Sequence, residues 1–326
     1  MTGVQTCALP ICFKIKDQGA GYVTQEMPDV LRTTTATFRP LDTKLGPDGA
    51  LYVADWSNPI IQHGEVDFRD PRRDKEHGRI WRIAPKGSKP LARVDFTARS
   101  NGELLDALLS PNRYDEERAR RVLVERGAAK VLGDLATWTR THTDERARLR
   151  ALWLYQAFNQ PPAALLDELL AAKDAGVRAA AVRAMPIDRD LKRLPWLVAD
   201  DYPRVRLAAV RALGQVGTVR AADLALSVLA SKPDVFLDYA LWLTMNDLAA
   251  PWLAAVKSGN WKSAGREPEL EFALRAIEPA QASEVLGLLL ERNPVPRDGT
   301  GPWIELVGAA GRSEEHTSEL QSRFGI

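Results

Sequence analysis

Hydrophobic positions change their period once along this chain, near residue 100. Before that point they alternate. Ala50–Asp55 puts Leu51 and Val53 on one side and Tyr52 and Ala54 on the other, the period-two signature of a strand with one covered face. Phe38–Leu45 precedes it, and Gly46-Pro47-Asp48-Gly49 between the two is a dense turn signal. The two runs predict a β-hairpin. Arg79–Ile83 reads as a further strand, and Pro85, Gly87 and Pro90 close the region. Three or four short strands about such a turn suit one blade of a β-propeller. A lone hairpin of this size would not be stable by itself.

From Ser100 the apolar residues follow a helical period and the pattern repeats. Val177–Ala184 and Val205–Ala212 agree at seven of eight positions. Related helices phase at Ala119, Ala147, Val235 and Leu270, so that successive anchors lie 28, 30, 28, 30 and 35 residues apart. Around Val205 the expected buried stripe is Val205, Ala208, Ala209, Ala212, Leu213 and Val216. Asp174 or Asp201 stands where a carboxylate caps the helix that follows, and Pro203 falls in a first turn, where its missing N–H costs little. Each unit reads as two short antiparallel helices, which bury their apolar faces only by stacking on neighbours. The order Asp, Val-Arg, Ala-Val-Arg-Ala resembles short HEAT repeats from about Ser100 to Asn293. That resemblance implies an α-α superhelix with a protein-binding surface. The expected fold class is α+β multidomain, a partial propeller followed by a helical solenoid.

Composition narrows the function classes. The 326 residues carry 44 basic and 43 acidic side chains, for a net charge of +1, which argues against a general nucleic-acid binder. No run approaches the ~18 apolar residues that would span a membrane. Cys7 and Cys12 are the two cysteines, too few for a disulfide framework or a Cys-cluster zinc site. Both ends read as translated sequencing adapter. One codon choice for Thr2–Ile11 has a reverse complement that encodes Arg312–Gln321. The expected divisions are therefore residues 1–12 and 312–326 as artefact, 13–95 as the end of a propeller, and 100–310 as the solenoid. Cys7 and His316 then carry no chemistry.

Residues 56–78 show no period, and structureless loops of this length are often functional. From His63 to Arg79 the run holds five acidic and five basic side chains besides His63 and His77. A solvated, ion-paired surface loop and a ligand-binding loop both suit that composition. His142 reads as an ordinary exposed histidine, and Trp138, Trp153, Trp196, Trp242 and Trp252 as core. Arg178, Arg183, Arg206 and Arg211 recur with the repeat; they either pair with neighbouring acids or form a basic ladder for an acidic partner.

Phe38–Asp42, Gly46–Val53, Asp55-Trp56, Asn58–Ile61, His63, Arg69-Asp70-Pro71, Arg73-Asp74 and His77–Ile83 resemble the last propeller segment of a bacterial family. These are the membrane-bound dehydrogenases of planctomycete and verrucomicrobial type, in which a sugar-dehydrogenase-like propeller precedes HEAT repeats and a haem-binding Cys-x-x-Cys-His domain. No Cys-x-x-Cys-His occurs here, so the resemblance puts the haem c domain beyond Gly311. It implies an exported, periplasmic redox protein that oxidises a sugar or alcohol, with pyrroloquinoline quinone and Ca²⁺ in the intact parent. Under it, His77 or His63 is the catalytic base. Arg69, Arg73 and Arg79 would hold the quinone carboxylates, and Asp42, Asp55, Asp70 and Asp74 would ligate Ca²⁺. The fragment itself is expected to be inactive and to bind no cofactor. The alternative is a non-catalytic glycan- or protein-binding propeller joined to a HEAT-repeat interaction scaffold.

Overall fold

The computed structural model describes residues 12–35, 37–60, 67, 69–186 and 191–292. His63, Cys7, His316 and both expected adapter segments apart from Cys12 lie outside this set, as do the last residues assigned to the solenoid. The chain divides into two compact units, one of residues 1–16 and 23–165, the other of residues 17–22 and 166–326.

In the first unit the predicted hairpin is present. Strands β3 (Pro40–Leu45) and β4 (Leu51–Asp55) pair antiparallel, and β5 (Arg79–Ile83) adds on the other side of β4 in register Asp55↔Arg79 to Leu51↔Ile83. The turn works as its residues suggest. Gly46 N–H donates to the Ala50 carbonyl at 2.8 Å, and Gly49 takes φ +75°, a conformation open to glycine at no steric cost. Asp48 closes the turn from the side, accepting from Arg82 Nε at 2.6 Å and the Tyr52 hydroxyl at 3.1 Å. Val53 is fully buried, whereas Leu41 and Ile80 stay 69% and 75% exposed.

Two strands were not legible beforehand, β1 (Cys12–Gln18) and β2 (Gly21–Met27). Their connection, Asp17–Tyr22, belongs to the second unit. Gly19, at φ +53°, lies so close to Asp234 that a Cβ would sit 2.0 Å from its Oδ2, and a Cβ on Gly21 would meet Phe236 at 2.5 Å. The two glycines permit backbone contact that no other residue would allow.

The helical region runs through α1 (Asn101–Ala107), α2 (Arg113–Arg126), α3 (Ala128–Thr141), α4 (Glu145–Ala157), α5 (Ala163–Leu170), α6 (Ala175–Ala184), α7 (Leu194–Leu197), α8 (Pro203–Gly214) and α9 (Val219–Leu226). A 3₁₀ turn, Ser227–Ser231, leads to α10 (Val235–Asp247), α11 (Ala249–Ser258), α12 (Glu267–Ala276) and α13 (Pro279–Arg292). Every predicted anchor falls in an even-numbered helix from α2 to α12, and a second helix follows each, but in α10 the buried equivalent of Val205 is Leu237 and not Val235, which is exposed. Ser100 opens the array with a capping box to Glu103. Asp174 caps α6 as expected, its carboxylate accepting from Gly176 N–H at 2.8 Å.

Four details differ from the sequence reading. Asp201 does not cap α8. Tyr202 holds the cap position, and Asp200 accepts from its N–H at 2.8 Å. Within α8, Val210 is buried and Ala212 only half-buried, because Ala212 faces a cavity. Trp196 is 45% exposed, not core. His142 is half-buried rather than exposed. It stacks on Trp138 with ring centroids 4.0 Å apart, and its Nδ1 lies 2.8 Å from the Trp138 carbonyl.

The repeated arginines divide by position. Arg178 Nη1 donates to the carbonyls of Ala172 and Lys173 at 2.9 and 3.2 Å, and Arg206 Nη1 to those of Asp200 and Asp201 at 2.7 and 3.1 Å. In α4, Arg148 likewise reaches six residues back, to His142 O at 3.4 Å. Arg148, Arg178 and Arg206, near the starts of their helices, thus satisfy carbonyls left open where the preceding segment ends. Of the four recurring arginines, Arg178, Arg206 and Arg211 are engaged within the array, while Arg183 is exposed.

Candidate functional site

Asp42 lies in β3, Asp55 ends β4 and Arg79 opens β5, while the other residues singled out in the sequence belong to the segment between β4 and β5, whose two ends are tied together. Asp55, the last residue of β4, is 3% exposed. One carboxylate oxygen accepts from Arg39 N–H at 2.7 Å and Ser57 N–H at 2.9 Å; the other accepts from the Trp81 indole Nε1 at 2.9 Å. Burial pushes the Asp55 pKa up, but the Arg39 N–H, the Trp81 indole and the Ser57 N–H outweigh it and hold the carboxyl below its ordinary value. Ser57 takes φ +55°, a strained conformation for a non-glycine residue. Asn58 is buried, and its Nδ2 donates to the Asp74 carbonyl at 3.3 Å, joining the outgoing chain to the returning one.

The returning limb orients an imidazole. Asp74 Oδ1 accepts from the N–H groups of Glu76 and His77 at 3.1 and 3.0 Å, and both its oxygens lie within reach of His77 Nδ1, at 3.0 and 3.2 Å. The Glu76 N–H, the His77 N–H and the ring together hold the Asp74 carboxyl below the usual carboxylate range. The His77 side chain is 72% exposed. With Nδ1 facing the carboxylate, Nε2 is left as the acceptor, the arrangement a positioned general base requires. Asp74, expected from the sequence among the Ca²⁺ ligands, instead faces the His77 ring three residues on.

The other candidates do not converge. Asp70 is held to about 2 chiefly by a two-pronged bond from Arg72, at 2.9 and 2.7 Å. Asp42 faces Lys44 at 3.2 Å. With Asp55 enclosed by protein donors and Asp74 on His77, the four aspartates predicted as one Ca²⁺ site have four separate environments. Among the described residues no group of three or more His, Cys, Asp or Glu side chains gathers as metal ligands. Arg73 directs Nε to the Asp67 carbonyl at 3.1 Å, while Arg69 and Arg79 are exposed. Among the described residues these side chains face separate partners and do not gather about one point. What the sequence reading missed is that Asp55 is the structural centre of the region. Its signal was a carboxylate ending an apolar strand.

Two family models match parts of the chain. One, described as a domain of unknown function, DUF7133, covers residues 6–87, which includes the three-stranded sheet and the His77 loop. The other, HEAT repeats, covers residues 162–241. No curated protein matches. No helix among the described residues is long and apolar enough to cross a membrane. The chain carries HEAT-like repeats over residues 162–241, a module that commonly mediates protein interaction.

Proposed function

We propose that this chain is part of an exported redox protein acting on a sugar or alcohol, in which the strand-rich region contributes the proton acceptor and the HEAT-like array docks a protein partner. The observation that carries this reading is the Asp74–His77 pair on a loop tied at both ends. Oxidation of an alcohol to a carbonyl removes the hydroxyl proton and a hydride from the carbon; His77 Nε2 would take the proton, with Asp74 stabilising the imidazolium, and a quinone cofactor of the intact protein would take the hydride. In this reading the reduced quinone passes its electrons one at a time to a haem c domain. The exposed apolar side chains of the three-stranded sheet, Leu41 and Ile80, support a larger β-structure such as a propeller, whose neighbouring strands would cover them.

A second reading, a non-catalytic glycan- or protein-binding loop, is favoured by the dispersed arginines and aspartates. One experiment separates the two. The intact parent is offered a panel of sugars and alcohols with a redox dye, and dye reduction is followed beside calorimetric binding. The first reading expects substrate-dependent dye reduction. Saturable sugar binding without turnover would instead support the second.

A further inference from the structure

We infer that the second unit holds a binding site for a small amphipathic organic anion, with an acyl or aromatic body and a single carboxylate or sulfonate head. The site is a cavity of about 760 Å³ walled by α6, α8, α10 and the Ala20–Tyr22 turn, within the range of roughly 300–1,000 Å³ usual for small-molecule sites. Its walls are mainly apolar. Met185, Leu194, Leu207, Phe236, Tyr239 and Leu243 face it, and Leu207, Phe236, Tyr239 and Leu243 remain half-buried because the space before them is open.

Three arginines line this cavity, and two have their charge already answered. Arg204 bonds Asp17 at 2.9 Å and the Gly21 carbonyl at 2.8 Å, with its guanidinium 3.8 Å from the Tyr22 ring centroid. Arg211 bonds the Thr244 hydroxyl at 2.8 Å and Asp247 at 3.0 Å. Arg183 is different: it is exposed and has no hydrogen bond, ion pair or ring contact among the described residues. The repeat explains why. Arg183 and Arg211 occupy equivalent positions in α6 and α8, so the partners of Arg183 should come from α8 as those of Arg211 come from α10. The N-caps Tyr202 and Asp234, and the buried faces Val205, Ala208, Ala209, Leu213 and Leu237, Ala240, Leu241, Met245, match α8 to α10 at 32 residues, which puts Ala212 and Gln215 where Thr244 and Asp247 stand one repeat later. Ala212 has no side-chain acceptor, and Gln215 carries no charge and makes no hydrogen bond to Arg183 among the described residues. Among the described residues, Arg183 is thus left as an unneutralised guanidinium beside an apolar cavity. A guanidinium pairs two-pronged with a carboxylate or sulfonate, and the apolar walls take the body of the ligand.

The test uses the 326-residue chain and two fluorescent probes of like shape, 1-anilinonaphthalene-8-sulfonate and the neutral N-phenyl-1-naphthylamine. The anion should bind saturably, one per chain and more tightly than the neutral probe, and decanoate should displace it where decanol does not. Arg183→Ala should raise the Kd of the anion about tenfold, the scale of one charge-assisted bidentate contact, and leave the neutral probe unchanged. Ala212→Phe, which fills the cavity, should weaken both probes. Melting temperatures and circular dichroism of both variants must match the parent chain, because loosened cores also bind the anion. Should Ala212→Phe fail to fold, Leu207→Trp serves as the filling variant. Equal affinity for the two probes, or anion binding untouched by Arg183→Ala, would overturn the assignment.

Discussion

Asp55→Ala will unfold the three-stranded sheet while the helices of the second unit persist. The substitution removes one side chain and strands three donors, the N–H groups of Arg39 and Ser57 and the Trp81 indole. Each buried donor left unpaired costs about 1–3 kcal/mol, so a loss of about 3 kcal/mol or more is expected even after water reaches part of the site. Asp55→Asn is the instructive companion. Its carbonyl oxygen can serve Arg39 and Ser57, but its amide then points a donor at the Trp81 donor, and it should lose roughly half as much. Hydrogen exchange at the Val53 and Trp81 amides reports the sheet directly. Native-like protection of those amides in Asp55→Ala would show that the carboxylate does not organise the region.

Breaking the Arg178–Asp200 pair should destabilise the second unit to a similar degree. Arg178 donates Nε and Nη2 to the two oxygens of Asp200, both at 2.8 Å, and the side chains are 17% and 8% exposed. Removing one member of a buried pair leaves the other charge uncompensated, which costs about 3–5 kcal/mol. Asp200→Ala also frees the Tyr202 N–H at the start of α8. The same pair predicts a pH dependence. Burial pushes the Asp200 pKa up, but Arg178, the Tyr202 N–H and Arg206 together leave it lowered, as Asp55 is lowered. A carboxyl whose pKa is lower folded than unfolded binds more protons when unfolded. Its contribution is complete above the unfolded value of roughly 3.9 and is lost as the pH falls through the folded one. Denaturant midpoints of the chain should drop below about pH 4, and Asp200→Ala should flatten that drop. An equally steep acid transition in the variant would assign it to other carboxylates.

Local patterns carried most of the architecture. The Gly46–Gly49 turn fixed the β3–β4 register, and the repeated Val-Arg and Ala-Val-Arg-Ala blocks placed the even-numbered helices. Pro203 marked the first turn of α8 as its chemistry requires. The Asp17–Tyr22 turn was hidden because Gly19 and Gly21 answer to Asp234 and Phe236, more than two hundred residues away, and no periodic signal reports such a contact. Four aspartates near the loop looked alike in sequence. Only packing separates Asp55, enclosed by three donors, from Asp42 and Asp70, which pair at the surface. The arginines show the same limit. Their recurrence was visible, but whether each meets a carbonyl, an acid or open space depends on what the next repeat supplies.

The central claim is that Asp74 and His77 form a working pair rather than a surface turn. The most direct measurement is turnover or ligand binding by the intact parent carrying His77→Ala or Asp74→Asn, beside its melting temperature. An exposed ion pair contributes only about 0–1 kcal/mol, whereas a positioned general base contributes roughly 10²–10⁴-fold in rate. The account predicts a fall of about 100-fold or more in kcat for His77→Ala with an unchanged melting temperature. Asp74→Asn keeps the acceptor for the Glu76 and His77 N–H groups but loses the charge on the imidazole, and its loss should be smaller. Activity within twofold of the parent in His77→Ala, or a loss that follows the melting temperature, would contradict the claim.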